Sequence, residues 1–151
     1  GYNIRANCHI SASGGFLKGV FGDWVRIGLL LYGYKPFDSE FCAVNPIMKV
    51  YAPVIKTRKL SSGDRALYGL KKTEGDLDIS LIRYGYADGL MRSEIDGQFN
   101  NRCMDISAVL GNKQGLFPVM ENADVLAKQY KTISYEILTK CALKAQKIYL
   151  N

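Results

Sequence analysis

Two short segments near the N-terminus contain residue types that bind anions. Ser13-Gly14-Gly15 stands at the start of a predicted helix, and Arg26-Ile27-Gly28 lies at a predicted strand end. Both could present backbone N–H groups to a phosphate or a carboxylate. On the pattern alone, ordinary turn glycines are the more common explanation. The only histidine, His9, lies on an apolar predicted strand, where a hydrogen-bonded core histidine is the usual interpretation.

Three segments further along the chain carry side chains that could contact a substrate. Tyr84-Gly85-Tyr86-Ala87-Asp88-Gly89 predicts a turn with a tyrosine at its mouth, most simply a hairpin loop. Cys103-Met104-Asp105 reads as a core cysteine and methionine beside a surface acid. Tyr135 lies in the last predicted helix, where a core or interface tyrosine is the ordinary interpretation. Each of these patterns is weak when taken alone.

Composition and charge limit the classes of function. The 151 residues carry a net charge of +6, but the basic residues are dispersed, and the densest stretch, Lys56–Lys59, predicts an exposed strand end. We therefore expect no nucleic-acid partner. No apolar run approaches the about 20 residues of a membrane span, and no leader pattern opens the chain, so we expect a cytoplasmic protein with no membrane partner. The cysteines are far apart and lack a C-x-x-C pair, which predicts reduced thiols and no metal site: Cys8, Cys42, Cys103 and Cys141.

The elements that must position these residues fall into two parts. In residues 1–34 the pattern predicts a strand at Ile4–Ile10, a short helix at Phe16–Lys18 and a strand at Trp24–Tyr32. The nearly continuous apolar character of Trp24–Tyr32 is typical of a strand buried on both faces of a parallel sheet. These residues therefore predict one strand–helix–strand step.

Residues 35–151 predict a mostly β domain. Alternation from Met48 to Val54 predicts a half-buried strand, in which Pro53 indicates an edge or a bulge. A turn is predicted at Ser61–Asp64. Further strands are predicted at Arg65–Leu70, Asp78–Tyr86, Cys103–Leu110 and Lys147–Leu150. Two short helices are predicted, one at Ala123–Tyr130 capped by Asn122 and one capped by Thr132, with Ile133, Ile137 and Cys141 on one face.

Taken together, the motifs resemble the alanine racemase family in identity and in order. They are Gly-Tyr-Ala-Asp-Gly at 85–89, Cys-Met-Asp at 103–105, Thr-Ile-Ser-Tyr-Glu-Ile-Leu at 132–138 and Ile-Tyr-Leu at 148–150. Upstream, Val-Arg-Ile-Gly at 25–28, Leu-Tyr-Gly at 31–33 and His9 four residues before Ser13 resemble the close of that family's barrel. The resemblance covers essentially the whole chain, and the set of motifs is specific although each is weak.

The resemblance implies a mainly β C-terminal domain with two short helices, preceded by the final βαβ segment of an α/β (TIM-type) barrel. Residues 1–34 would be barrel strands seven and eight, and residues 35–151 the C-terminal β domain. Phosphate is often held by the loops after those two strands of such a barrel. The implied activity is interconversion of L- and D-alanine for cell-wall precursor supply, with pyridoxal 5'-phosphate as the cofactor.

The resemblance also implies a role for each matching residue. Tyr86 would be a catalytic base, and the backbone N–H of Met104 would help to hold the substrate carboxylate. Arg26 would face the pyridine nitrogen and would be oriented by His9. The cofactor phosphate would be held by Ser13, by the backbone N–H groups of Gly28 and Leu29, and by Tyr135.

Further features of the family concern partners and departures. The resemblance implies a homodimer whose active sites are shared between subunits, and a Schiff-base lysine that no lysine of this chain matches, so we expect the chain alone to be inactive. Ala12 stands where the family usually has asparagine, and Arg102 stands one position closer to Cys103 than the family's arginine does. On a strand, that shift moves the side chain to the other face.

Two other functions stay open on the residues alone. One is a non-catalytic fragment that binds pyridoxal phosphate or phosphate, and the other is a basic β domain that binds nucleic acid. Only the racemase interpretation accounts for Arg26, Tyr86, Met104 and Tyr135 in this order.

Overall fold

The computed structural model describes residues 6–40, 42–67, 72–91 and 99–150. The chain forms two compact units, one that ends at Met48 and one that begins at Lys49. The assignment of residues 1–34 and 35–151 to two family domains stays a prediction. In the described part of the chain, no helix is both long and apolar enough to cross a membrane.

The first unit contains a strand–helix–strand step. Strand β1 (Ser11–Ala12) leads directly into helix α1 (Ser13–Leu17), and strand β2 (Val25–Arg26) pairs with β1 in parallel. A 3-10 helix (Leu29–Tyr32) follows β2 and ends at Gly33, whose φ is +81°. This order agrees with the sequence prediction, although α1 begins three residues before the predicted Phe16.

The predicted burial of Trp24–Tyr32 is wrong for this unit. Only Val25 and Arg26 form a strand, and the side chains of Trp24 and Leu31 are 64% and 67% exposed. An apolar run is buried on both faces only where other elements cover both faces, and a pair of two-residue strands provides no such layer. The predicted strand at Ile4–Ile10 is also wrong within its described part, residues 6–10, and its first two residues lie outside the described ones.

Among the described residues, the second unit forms a five-stranded antiparallel sheet. Its strands are β3 (Val50–Leu60), β4 (Leu77–Ile82), β5 (Phe99–Arg102), β6 (Ser107–Leu110) and β7 (Leu116–Met120), in the order β5-β6-β4-β3-β7. Strand β3 pairs first with β7 and then with β4, and the β3–β4 register shifts between Val54 and Lys56. The predicted irregularity near Pro53 is thus confirmed as a bulge just after it. Leu60 and Ile79 pack in the core of this sheet.

Several strand predictions differ from the structure. β3 begins at Val50 rather than Met48 and continues to Leu60, because the basic segment pairs with β4. Residues 65–67 form no strand, and residues 68–70 lie outside the described ones. β4 ends at Ile82 and not at the predicted Tyr86. β6 begins at Ser107 and not at the predicted Cys103, because the carbonyls of Cys103 and Met104 accept hydrogen bonds from the turn at residues 86–88 instead of from a strand. Residues 147–150 form no strand and are exposed. The pattern missed β5 and β7.

Two helices follow the sheet. Helix α2 (Ala123–Tyr130) has the predicted bounds, and its predicted cap is confirmed because Asn122 Oδ1 accepts the Asp124 N–H at 2.8 Å. Helix α3 (Ser134–Cys141) starts from Ile133 instead of Thr132. The Thr132 hydroxyl donates to the Glu136 carboxylate and so does not cap the helix backbone. Ile137 and Cys141 are buried as predicted, whereas Ile133 is 63% exposed.

Candidate active site

The turn at residues 85–89 presents Tyr86 to solvent. Strand β4 ends at Ile82, and a 3-10 turn at Tyr86–Asp88 follows it. The Gly85 N–H donates to Asp88 Oδ2 at 2.9 Å, which closes the start of the turn. The Leu90 N–H donates to the Gly85 carbonyl at 3.2 Å and closes its end. The Tyr86 residue remains 42% exposed.

The same turn is bonded to the backbone at Cys103 and Met104. The Tyr86 N–H donates to the Cys103 carbonyl at 3.1 Å, and the Ala87 N–H donates to the Met104 carbonyl at 3.0 Å. A Cβ on Gly85 would lie 2.1 Å from the Met104 carbonyl oxygen, so only glycine allows this approach. Met104 is 55% exposed. The fold therefore brings the two predicted substrate-contacting residues, Tyr86 and Met104, to one exposed corner.

The far side of the turn contacts the C-terminal end of α3. Gly89 has φ +105°, and a Cβ there would lie 2.2 Å from the Lys140 carbonyl oxygen. An open cleft of about 410 Å³ lies along this contact. Its lining residues are Tyr86, Ala87, Gly89, Leu90, Met91, Lys140 and Leu143. The residues that line the cleft are mostly apolar, apart from Tyr86 and Lys140.

Sequence reasoning gave Tyr84 no role of its own, yet this residue connects the turn to α3. Its buried hydroxyl donates to the carbonyls of Asp88, at 2.8 Å, and Cys141. Burial first, and then the neighbouring Cys141, raises the pKa of Tyr84 above its ordinary value. Burial also raises the pKa of the Cys141 thiol. A signal was present, because Tyr84 continues the inward-facing alternation of Ser80 and Ile82.

Ser13 and the Gly28–Leu29 segment share one edge in the first unit. Ser13 follows β1 directly, and Gly28 follows β2 by two residues. Because β1 and β2 are parallel, their carboxyl ends point to the same edge. Gly28 is exposed, and the 3-10 helix begins immediately after it, so the first N–H groups of that helix have no acceptor within it. The Ser13 residue itself is only 2% exposed.

His9 and Arg26 are in direct contact. Arg26 Nη1 donates to the His9 carbonyl and lies within hydrogen-bonding distance of His9 Nδ1. Arg26 pairs with Ala12 across the parallel strands, so its backbone position is fixed next to Ser13. The contact places the two side chains together, and the orienting role of His9 stays a prediction.

Tyr135 and Arg102 lie in the second unit. Tyr135 is in the first turn of α3 and is 42% exposed. Arg102 is buried, with its guanidinium 5.3 Å from the centre of the Tyr130 ring on α2. Arg102 therefore packs β5 against α2, whereas Met104 two residues later is exposed. In the part of the chain that the structure describes, no cluster of three or more His, Cys, Asp or Glu could hold a metal.

A family model described as alanine racemase, C-terminal domain, matches residues 47–149. This chain belongs to the alanine racemase family. The alanine racemase of a Nitratiruptor species is 34% identical over 147 residues, which cover 92% of this chain and 44% of that protein. The alanine racemase of Clostridium kluyveri is 31% identical over 182 residues, which cover 98% of this chain and 46% of that protein. The chain thus spans less than half the length of these two relatives.

Solved alanine racemases have the same fold. The enzyme of Clostridium difficile 630, in complex with cycloserine, gives a TM-score of 0.76 at 25% identity, covering 88% of this chain and 42% of that chain. The enzyme of Bartonella henselae with covalently bound pyridoxal phosphate gives a TM-score of 0.77 at 22% identity, covering 91% and 45%. The mainly β fold class, with few helices, is confirmed. The barrel assignment of residues 1–34 stays a prediction.

The structure brings together two pairs of the residues that the resemblance to alanine racemases singled out. Tyr86 lies beside Met104 through the backbone bonds of its turn, and His9 contacts Arg26. Ser13 and Gly28–Leu29 lie at one strand edge, and Tyr135 occupies an exposed helix position. Their roles in cofactor binding and catalysis stay predictions.

Proposed function

We propose that this chain is the C-terminal part of a pyridoxal-phosphate-dependent alanine racemase that interconverts L- and D-alanine for cell-wall precursor supply. The observation that carries the proposal is the exposed corner where the Tyr86 turn bonds to the carbonyls of Cys103 and Met104. That corner presents one proton-transfer group next to a backbone segment able to bind a carboxylate. We also propose a cytoplasmic homodimer, in which Tyr86 and Met104 serve the partner's cofactor.

The residues of the first unit fit a phosphorylated pyridine cofactor. The Ser13 hydroxyl and the N–H groups of Gly28 and Leu29 are neutral donors, which suit a phosphate dianion at a helix end. Arg26, held by His9, would face the pyridine nitrogen and leave it unprotonated, because a guanidinium does not release its proton. The bound cofactor would supply an electron sink that acidifies the α-hydrogen of the amino acid.

Racemisation requires one proton-transfer group on each face of the α-carbon. Tyr86 is proposed as the group that takes the α-proton of L-alanine. The group on the other face would be the lysine that carries the cofactor in this family, and no lysine of this chain matches its context. Met104 would hold the substrate carboxylate through its backbone N–H, so that the α-hydrogen faces Tyr86.

The test is Tyr86→Phe in the complete racemase, measured as α-hydrogen exchange in deuterated water. We expect exchange from L-alanine to fall by about 10²–10⁴, which is the usual loss for one general base. Exchange from D-alanine should persist, because the lysine serves that face. Net racemisation should collapse in both directions, because the base for one enantiomer is the acid for the other.

The matched control is Tyr51→Phe, which removes a surface hydroxyl 3.4 Å from Glu121. It should leave both exchange rates unchanged. A Tyr86→Phe enzyme that loses both exchanges equally, or that stays fully active, would remove Tyr86 from the catalytic role.

A further inference from the structure

Tyr84 spans the distance between the sheet, the Tyr86 turn and α3. Its carbonyl accepts the hydroxyl of the fully buried Ser107 of β6 at 2.6 Å, which anchors its backbone to the sheet. Its hydroxyl reaches away from the sheet to the carbonyls of Asp88 and Cys141. The Tyr84 residue is only 6% exposed, so water does not compete freely for these acceptors.

Both acceptor carbonyls belong to the C-terminal residues of helical segments. Asp88 is the last residue of the 3-10 turn, and Cys141 is the last residue of α3. Carbonyls in the last turn of a helix have no intrahelical donor and need another partner. The single hydroxyl proton of Tyr84 is therefore shared between the two carbonyls in a three-centre hydrogen bond, and burial raises the pKa of Tyr84 so that this proton is retained.

The contact between turn and helix has little slack. Gly89 meets the Lys140 carbonyl closely, and the Cys141 thiol lies 3.7 Å from the Gly89 carbonyl. The other side of the turn is held by the two backbone bonds to Cys103 and Met104. The Tyr84 hydroxyl and the Cys141 thiol both donate across this contact, and the hydroxyl makes the shorter hydrogen bonds.

We propose that Tyr84 is a positioning residue, whose hydroxyl holds the Tyr86 turn against the C-terminal end of α3 and so fixes where the Tyr86 side chain stands. The proposal rests on the proposed racemase function. A displacement of about 1 Å in a catalytic group can lower the rate about 10²-fold. A shift of the Tyr86 turn by about that distance would therefore lower the rate of proton transfer measurably. Tyr84 itself touches no reacting atom.

The experiment compares Tyr84→Phe with Tyr51→Phe in the complete racemase, because each variant removes only a hydroxyl. We expect Tyr84→Phe to lower α-hydrogen exchange from L-alanine about tenfold or more and to leave exchange from D-alanine within about twofold. Amide hydrogen exchange of Gly89 and Leu90, whose N–H groups close the turn, should also rise about tenfold or more, while the β3–β4 ladder is unchanged. Tyr51→Phe should change none of these rates.

Two outcomes would overturn the proposal. One is an equal loss of α-hydrogen exchange from L-alanine and from D-alanine, and the other is an unchanged rate of amide hydrogen exchange at Gly89 and Leu90. If Tyr84→Phe does not fold, Ser107→Ala removes the hydrogen bond to the Tyr84 carbonyl and should raise the exchange rates of the same two amides. Full protection of these amides in Ser107→Ala would also overturn the proposal. Failure of the proposed function is separable. If Tyr86→Phe shows no difference between L- and D-alanine, the catalytic assignment is wrong, and the amide exchange still decides whether Tyr84 holds the turn.

Discussion

At the scale of single residues, the two glycines of the Tyr86 turn have different tasks. Gly85 adopts extended backbone angles, and its missing side chain only makes room for the Met104 carbonyl. Gly89 needs both its conformation, with φ +105°, and the space beside the Lys140 carbonyl. A side chain at either position would therefore displace the turn that carries Tyr86, but only Gly89 would also suffer backbone strain.

We expect Gly89→Ala to lower the free energy of unfolding of the second unit by about 2–3 kcal/mol, because the new Cβ meets a backbone oxygen and the positive φ is strained. Gly75→Ala is the matched control, since Gly75 lies in a loop where a Cβ would meet nothing within 4 Å. It should change that free energy by less than about 0.5 kcal/mol. Urea unfolding of the chain measures both values. Equal midpoints for the two variants would show that the Gly89 contact does not hold the turn.

At the scale of elements, α3 carries Tyr135 in its first turn and contacts the Tyr86 turn at its last. Its polar face is organised by Glu136, whose carboxylate accepts from the Lys140 ammonium and the Thr132 hydroxyl. The Lys140 contact first, and Thr132 second, lower the pKa of Glu136. The positive end of the helix dipole also stabilises a carboxylate in the first turn.

The lowered pKa of Glu136 gives α3 a defined response to acid. A carboxyl group with a lowered pKa in the folded state stabilises the protein above its unfolded value of about 4.3, and this stabilisation is lost as pH falls through the folded value. We expect Glu136→Gln to unfold at a lower temperature than the original chain at about pH 6–7, and the difference to shrink steadily as the pH falls below about 4.3, because the lowered pKa of Glu136 lies below that value. Glu74→Gln, in an exposed loop, is the control. A difference that persists at the lowest pH would contradict the ionic origin.

At the scale of the whole molecule, the first unit exposes several large apolar side chains. In the first unit Ile10, Phe21, Trp24 and Leu31 are each more than half exposed. Exposed apolar groups and short unpaired strands are sites where another chain or segment can pack.

We expect the 151-residue chain alone to be inactive, because the family's cofactor-bearing lysine has no match among its residues. The chain should produce no D-alanine from L-alanine in the presence of pyridoxal phosphate, as measured by chiral chromatography. A complete alanine racemase in the same buffer is the positive control. D-alanine formation that grows with chain concentration and depends on pyridoxal phosphate would overturn this expectation.

The sequence by itself determined the features that depend on near neighbours. Helix α2 and its Asn122 cap, and the Ser61–Asp64 turn, follow from residues that bond within three positions of each other. The family was also readable, because its motifs keep their identity and order. Caps and turns form through hydrogen bonds between residues a few positions apart, so predicting them requires no tertiary information.

Only the tertiary structure decided the features that join distant residues. Whether Trp24–Tyr32 is buried depends on which elements cover it, and whether Tyr84 matters depends on Cys141, 57 positions away. The same holds for Arg102, which packs on Tyr130. Strands β5 and β7 lacked a clear local pattern and form because β6 and β3 offer them free edges. Residue spacing alone does not specify such partners, since each is chosen by the packing of the whole unit.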